Sequence, residues 1–494
     1  YLKKRGLIKL INNCTFTLLS KIEIIILRIL GRTGDFFDKF DLNEFDIHQV
    51  TVFPKVSSSG VIYRYTTEDL SKIRLLELEL LIRSGGGIIR GELLNLCKHG
   101  IISFHHADNK INRGGPPGFW EVYKRQKRTG FIVQLLKDEL DGGDVVYKGY
   151  LATTFLYTLN LINIYNKSNI FLHKSIESIA SEDEKKVHPK APYFNPLYST
   201  PNPFQQVKYI LTTLIRVVKK IIRKIFTYNL RWGIAYQFVD NWREVTLWRS
   251  KVIHNPPGRF LADPFIWESD GIHYCFLEDY SYRKAKGSIS VYKITKGGYE
   301  ELGTAIDEEF HLSYPFLFED NGILYMCPES YGKREIRIYK CTDFPLKWSL
   351  EKVLMNNISA ADTNIFYRDG KWWMMTNICS SGNDEHGSEL HIFTSENLLN
   401  DNWKPHPNNP VIFDSLRARN GGLLFMNDDI YRVFQKQGYD LYGEALGVAK
   451  IIELTDKDYN EKVEFDIKPN FIPNIIGTHT YSYKNGLVAI DYVK

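Results

Sequence analysis

His105 closes the apolar run Gly100-Ile-Ile-Ser-Phe104, and about three dozen residues later Asp141 sits in the glycine turn Leu140-Asp-Gly-Gly-Asp144. A histidine ending one strand and an aspartate just before another are parts for moving a proton at a carbonyl. The imidazole exchanges the proton and the carboxylate orients it. A lone histidine is more often a core residue satisfied by backbone, but the downstream aspartate favours a site. His106 and Asp108 do not extend the pair into a metal centre, because adjacent strand residues point to opposite faces; no metal is expected. A second group of charged residues recurs at the starts or ends of apolar segments. These are Asp263 in Ala262-Asp-Pro264, Glu329 in Cys327-Pro-Glu329, Asp362 in Ala361-Asp-Thr363 and Arg419 in Ala418-Arg-Asn420. Each alone is explained as a turn former. Together, facing one cavity, they are hard to explain by packing. Glu278, Gln435, Tyr442 and His479 are further candidates to line that cavity.

The elements that must hold the first pair read as α/β. The pattern predicts a strand over 47–53, a helix over 67–74 opened by Thr66 or Thr67 with Glu68 and Asp69 in its first turn, and a strand over 78–82. Gly85-Gly-Gly87 turns the chain into a helix over 91–97, and the next strand delivers His105 at its carboxyl end, where ligands of open α/β sheets gather. The glycines lack the Gly-Lys-Ser/Thr of a phosphate loop, so a tight turn explains them better than a nucleotide site. Residues 1–32 read as a helix of a doubly wound domain whose first strand lies upstream. The most apolar stretch, Ile22 to Leu30, is interrupted by Glu23 and Arg28 and falls short of the roughly 18 apolar residues of a membrane span.

The second half repeats. Phe260–Phe265 leads to Gly271–Phe276, Leu312–Phe318 to Gly322–Met326, Ala361–Phe366 to Gly370–Met374, Arg419–Leu424 to Asp429–Arg432, and a degenerate copy runs from Gly477 to Val488. Strand, Asp/Asn/Gly turn and strand recur about every 50 to 60 residues, the period of a propeller blade. The expectation is α/β plus all-β: an α/β domain over 1–180, a linker over 181–230 and a five-bladed β-propeller over 231–494. Within the linker, residues 205–226 interleave Ile210, Leu214, Val218 and Ile222 with Lys208, Arg216, Lys219 and Lys220, and contain no acid. That reads either as a helix bridging domains or as one lying on an anionic membrane.

The 494 residues are 44% hydrophobic and 24% charged, enough for two or three cores. A net charge of +5 gives no broad nucleic-acid surface, and none is expected as partner. Six cysteines without a Cys-x-x-Cys pair exclude a zinc ribbon and a dense disulfide framework, which suits a cytoplasmic protein.

Residues 76–150 resemble the catalytic half of the folate-dependent formyltransferases that act on methionyl-tRNA, glycinamide ribonucleotide and sugars. The carriers are His105, Arg113-Gly114, Thr129-Gly130 and Leu140-Asp-Gly-Gly-Asp144. The resemblance implies 10-formyltetrahydrofolate as donor and an amino sugar or related surface-glycan precursor as acceptor. His105 would donate to the oxyanion, and Asp141 would orient it and help receive the amine proton. The family asparagine falls on Ser103, with Asn109 placed to swing in as its replacement, and the folate-side loop reads Ala107-Asp-Asn-Lys110. Arg113 and Gly114 would contact substrate. Residues 230–494 resemble the five-bladed glycosidases of the arabinanase and β-xylosidase type, and more closely the amino-terminal domain of plant glucosamine inositolphosphorylceramide transferases. That implies Asp263 as base and Glu329 or Glu278 as acid, with Asp362 at the third-blade position. A noncatalytic alternative keeps the first domain as a dead scaffold and the propeller as a lectin-like glycan-binding module; a third makes the propeller itself a glycoside hydrolase or glycosyltransferase, with the α/β domain as recognition partner.

Overall fold

The computed structural model describes residues 2–58, 60–85, 87–181, 192–225, 231–380, 385–400 and 402–494. It divides into two compact units, Tyr1–Ile222 and Arg223–Lys494. Part of the expected linker, 182–191, lies outside the described residues.

The first unit opens with helix α1 (Leu2–Ile29). Helix α2 (Thr67–Arg74) starts on a capping box: the Thr66 side chain accepts from the Asp69 N–H at 3.2 Å, and Asp69 accepts from the Thr66 N–H at 3.0 Å. Asp69 also takes the Phe53 N–H at 2.9 Å. The strand expected over 47–53 is therefore not formed, since that segment's final donor is spent on the cap. The helix expected over 91–97 is only a 3-10 turn, Glu92–Asn95, squeezed between left-handed glycines Gly91 and Gly100.

The central sheet runs Leu81–Arg83, Ile101–His105, Arg128–Leu135, Asp144–Ala152. Only its first pair is parallel; the other two are antiparallel. This corrects the doubly wound expectation. The last two strands are joined by a short hairpin connection rather than a crossover, and such a connection gives antiparallel neighbours. The unit also holds helices α3 (Phe119–Lys124), α4 (Tyr157–Ala180) and α5 (Pro203–Ile225), a small sheet of Lys55–Val56, Ile62–Arg64 and Ile88–Arg90, and a parallel pair of Arg113–Gly114 with Leu197–Tyr198. Phe16, Phe119, Trp120, Tyr157 and Tyr209 form an aromatic cluster that joins α1, α3, α4 and α5.

The second unit consists of antiparallel four-stranded sheets. Four follow in chain order: Arg259–Ile306, Ser313–Asn356, Ala360–Pro405 (with Ile412–Phe413 also pairing into it) and Asn420–Ile467. A fifth is shared between the two ends of the unit, pairing Lys251–Ile253 and Trp232–Phe238 with Leu487–Val493 and Tyr481–Lys484. That shared sheet explains why the last sequence repeat reads as degenerate. In the sheet Asn420–Ile467 the turn between first and second strands is Asn427-Asp428, with Asn427 alone at positive φ; in the other four it is Asp270-Gly271, Asn321-Gly322, Asp369-Gly370 or Asn485-Gly486, each with both φ angles positive. This is the two-residue hairpin turn that the right-handed strand twist prefers, and it needs Asn or Asp followed by Gly. Between sheets the space is filled by bulky apolar side chains, among them Trp372, Trp373, Phe366 and Trp403.

Candidate functional sites

In the second unit the same position of the first strand departs from regular pairing in three sheets. Ala262 pairs with Glu278 but Phe265 with Phe276; Ser313 pairs with Glu329 but Phe316 with Cys327; Ala361 pairs with Asn377 but Asn364 with Met375. Each bulge begins with a left-handed residue, Asp263 (φ 49°), Tyr314 (φ 46°) and Asp362 (φ 49°). Aspartate tolerates this conformation and tyrosine pays for it, so the strain is held by its surroundings, as is common at functional sites. The bulge re-aims the first-strand side chain, while the cross-strand partner supplies Glu278, Glu329 or Asn377.

Asp263 is buried and accepts the Thr480 hydroxyl at 2.6 Å on Oδ1 and the Tyr314 N–H at 3.2 Å on Oδ2. His479 lies between two carboxylates, with Nε2 3.1 Å from Asp263 and Nδ1 2.7 Å from Asp491. Asp491 also accepts the N–H groups of His479 and Thr480 at 2.8 and 3.1 Å. Burial disfavours the imidazolium, yet Asp491 and Asp263 hold its pKa well above the ordinary histidine value. Burial likewise opposes ionisation of Asp263, but His479, Thr480 and the Tyr314 N–H keep its carboxyl below the usual range.

Arg419 donates to Asp362 at 2.6 Å and lies 3.5 Å from Glu329. Gln435 donates to Asp362 at 2.8 Å and to the Asn420 carbonyl at 2.7 Å. Tyr442 links the two halves: the Arg419 guanidinium lies 4.8 Å from its ring, and its ring is 5.2 Å from His479. Trp232 sits 3.9 Å from His479, ring centre to ring centre. Burial, reinforced by the Asp263 charge, lifts the Glu278 carboxyl well above its usual range. Burial and the Asp362 charge do the same to Glu329, against the pull of Arg419. One cluster thus pushes the affinities of its carboxyls for a proton in opposite directions, down at Asp263 and up at Glu278 and Glu329, the kind of division that acid and base chemistry uses.

The sequence candidates Asp263, Glu278, Glu329, Asp362, Arg419, Gln435, Tyr442 and His479 are all brought into this network. Asp491, Thr480 and Trp232 were not foreseen. Asp491 had a signal, as a lone acid inside the apolar strand Leu487–Val493 where its side chain is fully buried. Asp263, His479 and Asp491 each offer a ligand atom within 4.8 Å of the others, so they could hold a cation. A metal on a His479 nitrogen and a proton on the same nitrogen exclude each other.

In the first unit, His105 is the last residue of its strand, and Nδ1 lies 3.6 Å from Asp141 Oδ1. Asp141 is itself left-handed, φ 48°, and accepts the Gly114 N–H at 3.3 Å. Asn109 donates to the Asp141 carbonyl at 3.2 Å. Arg113 is tied to the Asn109 carbonyl at 3.0 Å and to Glu139 at 2.8 Å. Ser103 receives Arg83 at 3.1 Å and donates to the Phe104 carbonyl. His105 Nε2 lies 2.8 Å from the Asn112 carbonyl oxygen. The predicted residues are gathered, but each of these donors already has a protein acceptor. Thr129-Gly130 is structural: Thr129 bonds Thr153 at 2.9 Å, and Gly130 leaves room for Asp108. Asp108 is taken up by Lys148 at 2.5 Å and Tyr150 at 2.7 Å. His106 faces away from His105 and stacks on Tyr165 at 3.9 Å; burial pushes its pKa down to about 3.

Comparison with known proteins divides along the same line. Residues 245–472 match the family model described as glucosamine inositolphosphorylceramide transferase 1, N-terminal. Glucosamine inositolphosphorylceramide transferase 1 of Arabidopsis thaliana is 38% identical over 218 residues, covering 43% of this chain and 28% of the relative. Its counterpart in Oryza sativa subsp. japonica is 37% identical over 210 residues, covering 42% and 28%. The chain thus spans about a quarter of the length of these relatives. Methionyl-tRNA formyltransferase of Bacillus subtilis is 26% identical over 208 residues, covering 40% of this chain and 62% of that protein. Among solved structures, a family 117 glycoside hydrolase from Zobellia galactanivorans (TM-score 0.34, 11% identity) covers 53% of this chain and 91% of its own. A thermostable family-43 glycoside hydrolase (TM-score 0.36, 15% identity) covers 47% and 88%. Likeness at this level leaves the sites to be read from their own geometry. The residues matched by the amino-terminal family model fall within the second unit, and the chain's similarity to methionyl-tRNA formyltransferase is weak and partial.

Proposed function

We propose that the chain is a carbohydrate-modifying enzyme of the transferase class, with the saccharide seated on the buried charged cluster of the second unit. In this reading the five sheets are blades of a five-bladed propeller, and the bulged first strands aim their side chains at its axis. The observation that carries the reading is the buried cluster itself, with Asp263 on His479 and Thr480, Asp362 and Glu329 about Arg419, and Glu278 beside Asp263; its surroundings pull the Asp263 carboxyl down and push those of Glu278 and Glu329 up. A glycosidic bond breaks when an acid protonates the leaving oxygen while a carboxylate stabilises the oxocarbenium-like carbon or activates the acceptor. Glu329 or Glu278 supplies the proton and Asp263 the negative charge. His479, held by Asp491, positions Asp263, and Trp232 and Tyr442 give the sugar ring apolar faces to pack on. The names of the plant relatives point to glucosamine, so an amino-sugar glycan is the substrate class. The test is release of phenol from aryl glycosides of glucosamine and N-acetylglucosamine, with and without a saccharide acceptor. Asp263→Asn should lower turnover by about 10²–10⁴-fold, and Glu329→Gln and Glu278→Gln should identify which carboxyl is the acid. Turnover that survives Asp263→Asn unchanged contradicts the assignment.

A second reading, formyl transfer to a sugar amine in the first unit, is favoured by the convergence of His105, Asp141 and Asn109 and by the similarity to methionyl-tRNA formyltransferase. The residues present do not fit 10-formyltetrahydrofolate well. Ser103 stands where the family has an amide, and the donors an oxyanion would need are engaged by Asn112, Asp141 and Phe104 carbonyls. Calorimetric titration with 5-formyltetrahydrofolate separates the alternatives: micromolar binding supports a live donor site, and no binding makes this unit a scaffold.

A further inference from the structure

Helices α1 and α5 are amphipathic in an inverted sense. A surface helix normally turns its apolar stripe to the core. In α5, Gln206 and Tyr209 face the unit and are buried, while Val207, Leu211, Leu214, Ile215, Val218 and Ile222 are exposed. At roughly 100° per residue these lie on the side opposite Tyr209. The same holds for α1. Phe16, Glu23 and Leu27 face inward, and Leu7, Ile11, Leu18, Ile22, Ile25 and Ile29 are exposed on the opposite side. The two helices are fastened together within the unit: Tyr209 bonds Glu23, which also takes the Thr158 N–H at 2.8 Å, and Gln206 bonds the Asn12 carbonyl at 3.2 Å. The sequence expectation that no segment approaches a membrane span needs correcting. Within Gly6–Ile29 an 18-residue stretch has a mean hydropathy of 1.5 with only 17% of it buried, so the helix is long and apolar enough to cross a bilayer. Its one acid, Glu23, is the residue tied to Tyr209 and Thr158, which holds α1 against the unit.

Among the charged side chains of α5 there is no acid; Lys208 and Lys219 flank the apolar stripe, whereas Arg216 and Lys220 lie on the Tyr209 side, with Lys220 4.2 Å from the centre of the Phe155 ring. An apolar stripe bordered only by cations fits the acyl boundary of an anionic bilayer, with the ammonium groups at the level of the phosphates. We infer that the exposed faces of α1 and α5 are a docking surface for an anionic membrane, on which the chain lies without spanning it. Membrane residence puts the enzyme beside lipid-linked or surface-bound glycan.

Flotation of the full chain tests this, using vesicles of phosphatidylcholine alone and of phosphatidylcholine with about one third phosphatidylglycerol. The chain should float with the anionic vesicles, be left behind by the neutral ones, and be released by salt or by an alkaline carbonate wash. Leu214→Gln combined with Val218→Gln, at exposed positions that the fold does not need, should lower the partition coefficient by at least about tenfold. Lys219→Gln should lower it about fivefold. Far-ultraviolet circular dichroism and the thermal midpoint check that both variants remain folded. The inference is overturned if the chain does not bind anionic vesicles, if it binds equally after the paired substitution, or if it resists carbonate as a spanning protein does. It is also overturned if light scattering shows a dimer in solution that the paired substitution dissociates, since a second copy would then cover these faces.

Discussion

Replacing Asp362 with asparagine tests the charged cluster through two independent readouts. Asp362 Oδ2 accepts from Arg419 Nε at 2.6 Å and from Gln435 at 2.8 Å, and all three residues are buried or nearly so. Asparagine keeps the shape and one acceptor but removes the charge, leaving Arg419 with Glu329 at 3.5 Å. Losing a hydrogen bond to a charged partner costs about 1.5–3 kcal/mol, and stranding a buried charge raises this toward about 3–5 kcal/mol. Taking about 3 kcal/mol and about 2–4 °C per kcal/mol for a unit of this size, the midpoint of the second unit should fall by roughly 6–12 °C. The exposed pair Lys371–Asp456 is the control: Asp456→Asn should change stability by less than about 1 kcal/mol. The second readout is the protonation of Glu329. The Asp362 charge raises its carboxyl, so Asp362→Asn should move the alkaline limb of the activity profile to lower pH. Differential scanning calorimetry and a pH–rate profile on the same preparations decide it. A variant with an unchanged midpoint and an unchanged alkaline limb would refute the coupling of Asp362, Arg419 and Glu329.

Two further predictions follow from the same geometry. Glu278 and Glu329 have raised folded-state values, so their favourable contribution is fully present below the ordinary carboxylate pKa and is lost as pH rises from there through the raised folded-state value; Glu329→Gln should therefore gain stability relative to the parent as pH rises across that window, measured by denaturant titration at several pH values. Gly114→Ala should destabilise the first unit by at least about 2 kcal/mol, because Gly114 is left-handed (φ 95°) and a Cβ there would lie 2.2 Å from the Tyr198 carbonyl oxygen; thermal melts of the full chain would show the earlier transition moving down.

The second unit was the more legible part of the chain. Its strands alternate, its Asp-Gly and Asn-Gly turns recur at a fixed place, and both signals are local, so repeats could be counted without knowing the fold. What stayed hidden was non-local: Trp232 and Asp491 reach the site only because strands from both ends of the unit share one sheet, a pairing no local pattern announces. The bulges were hidden for another reason. Residue type does not announce that the Tyr314 backbone repeats the left-handed conformation of Asp263 and Asp362. In the first unit, the strand end at His105 and the cap at Thr66 were readable from residue types. The strand expected over 47–53 was not, because a tertiary bond from Asp69 overrode the local pattern. Nor could residue types show that the His105 ring nitrogen is met by the Asn112 carbonyl.

The most direct measurement is a calorimetric titration of the full chain with a glucosamine-containing oligosaccharide, followed in parallel by tryptophan fluorescence and repeated on Asp263→Asn and Trp232→Ala. Binding in the second-unit cluster predicts a saturable heat and a fluorescence change in the parent, with affinity at least about tenfold weaker in both variants. Equal affinity in all three proteins, or no binding by the parent, would contradict the placement of the saccharide at Asp263, His479 and Arg419.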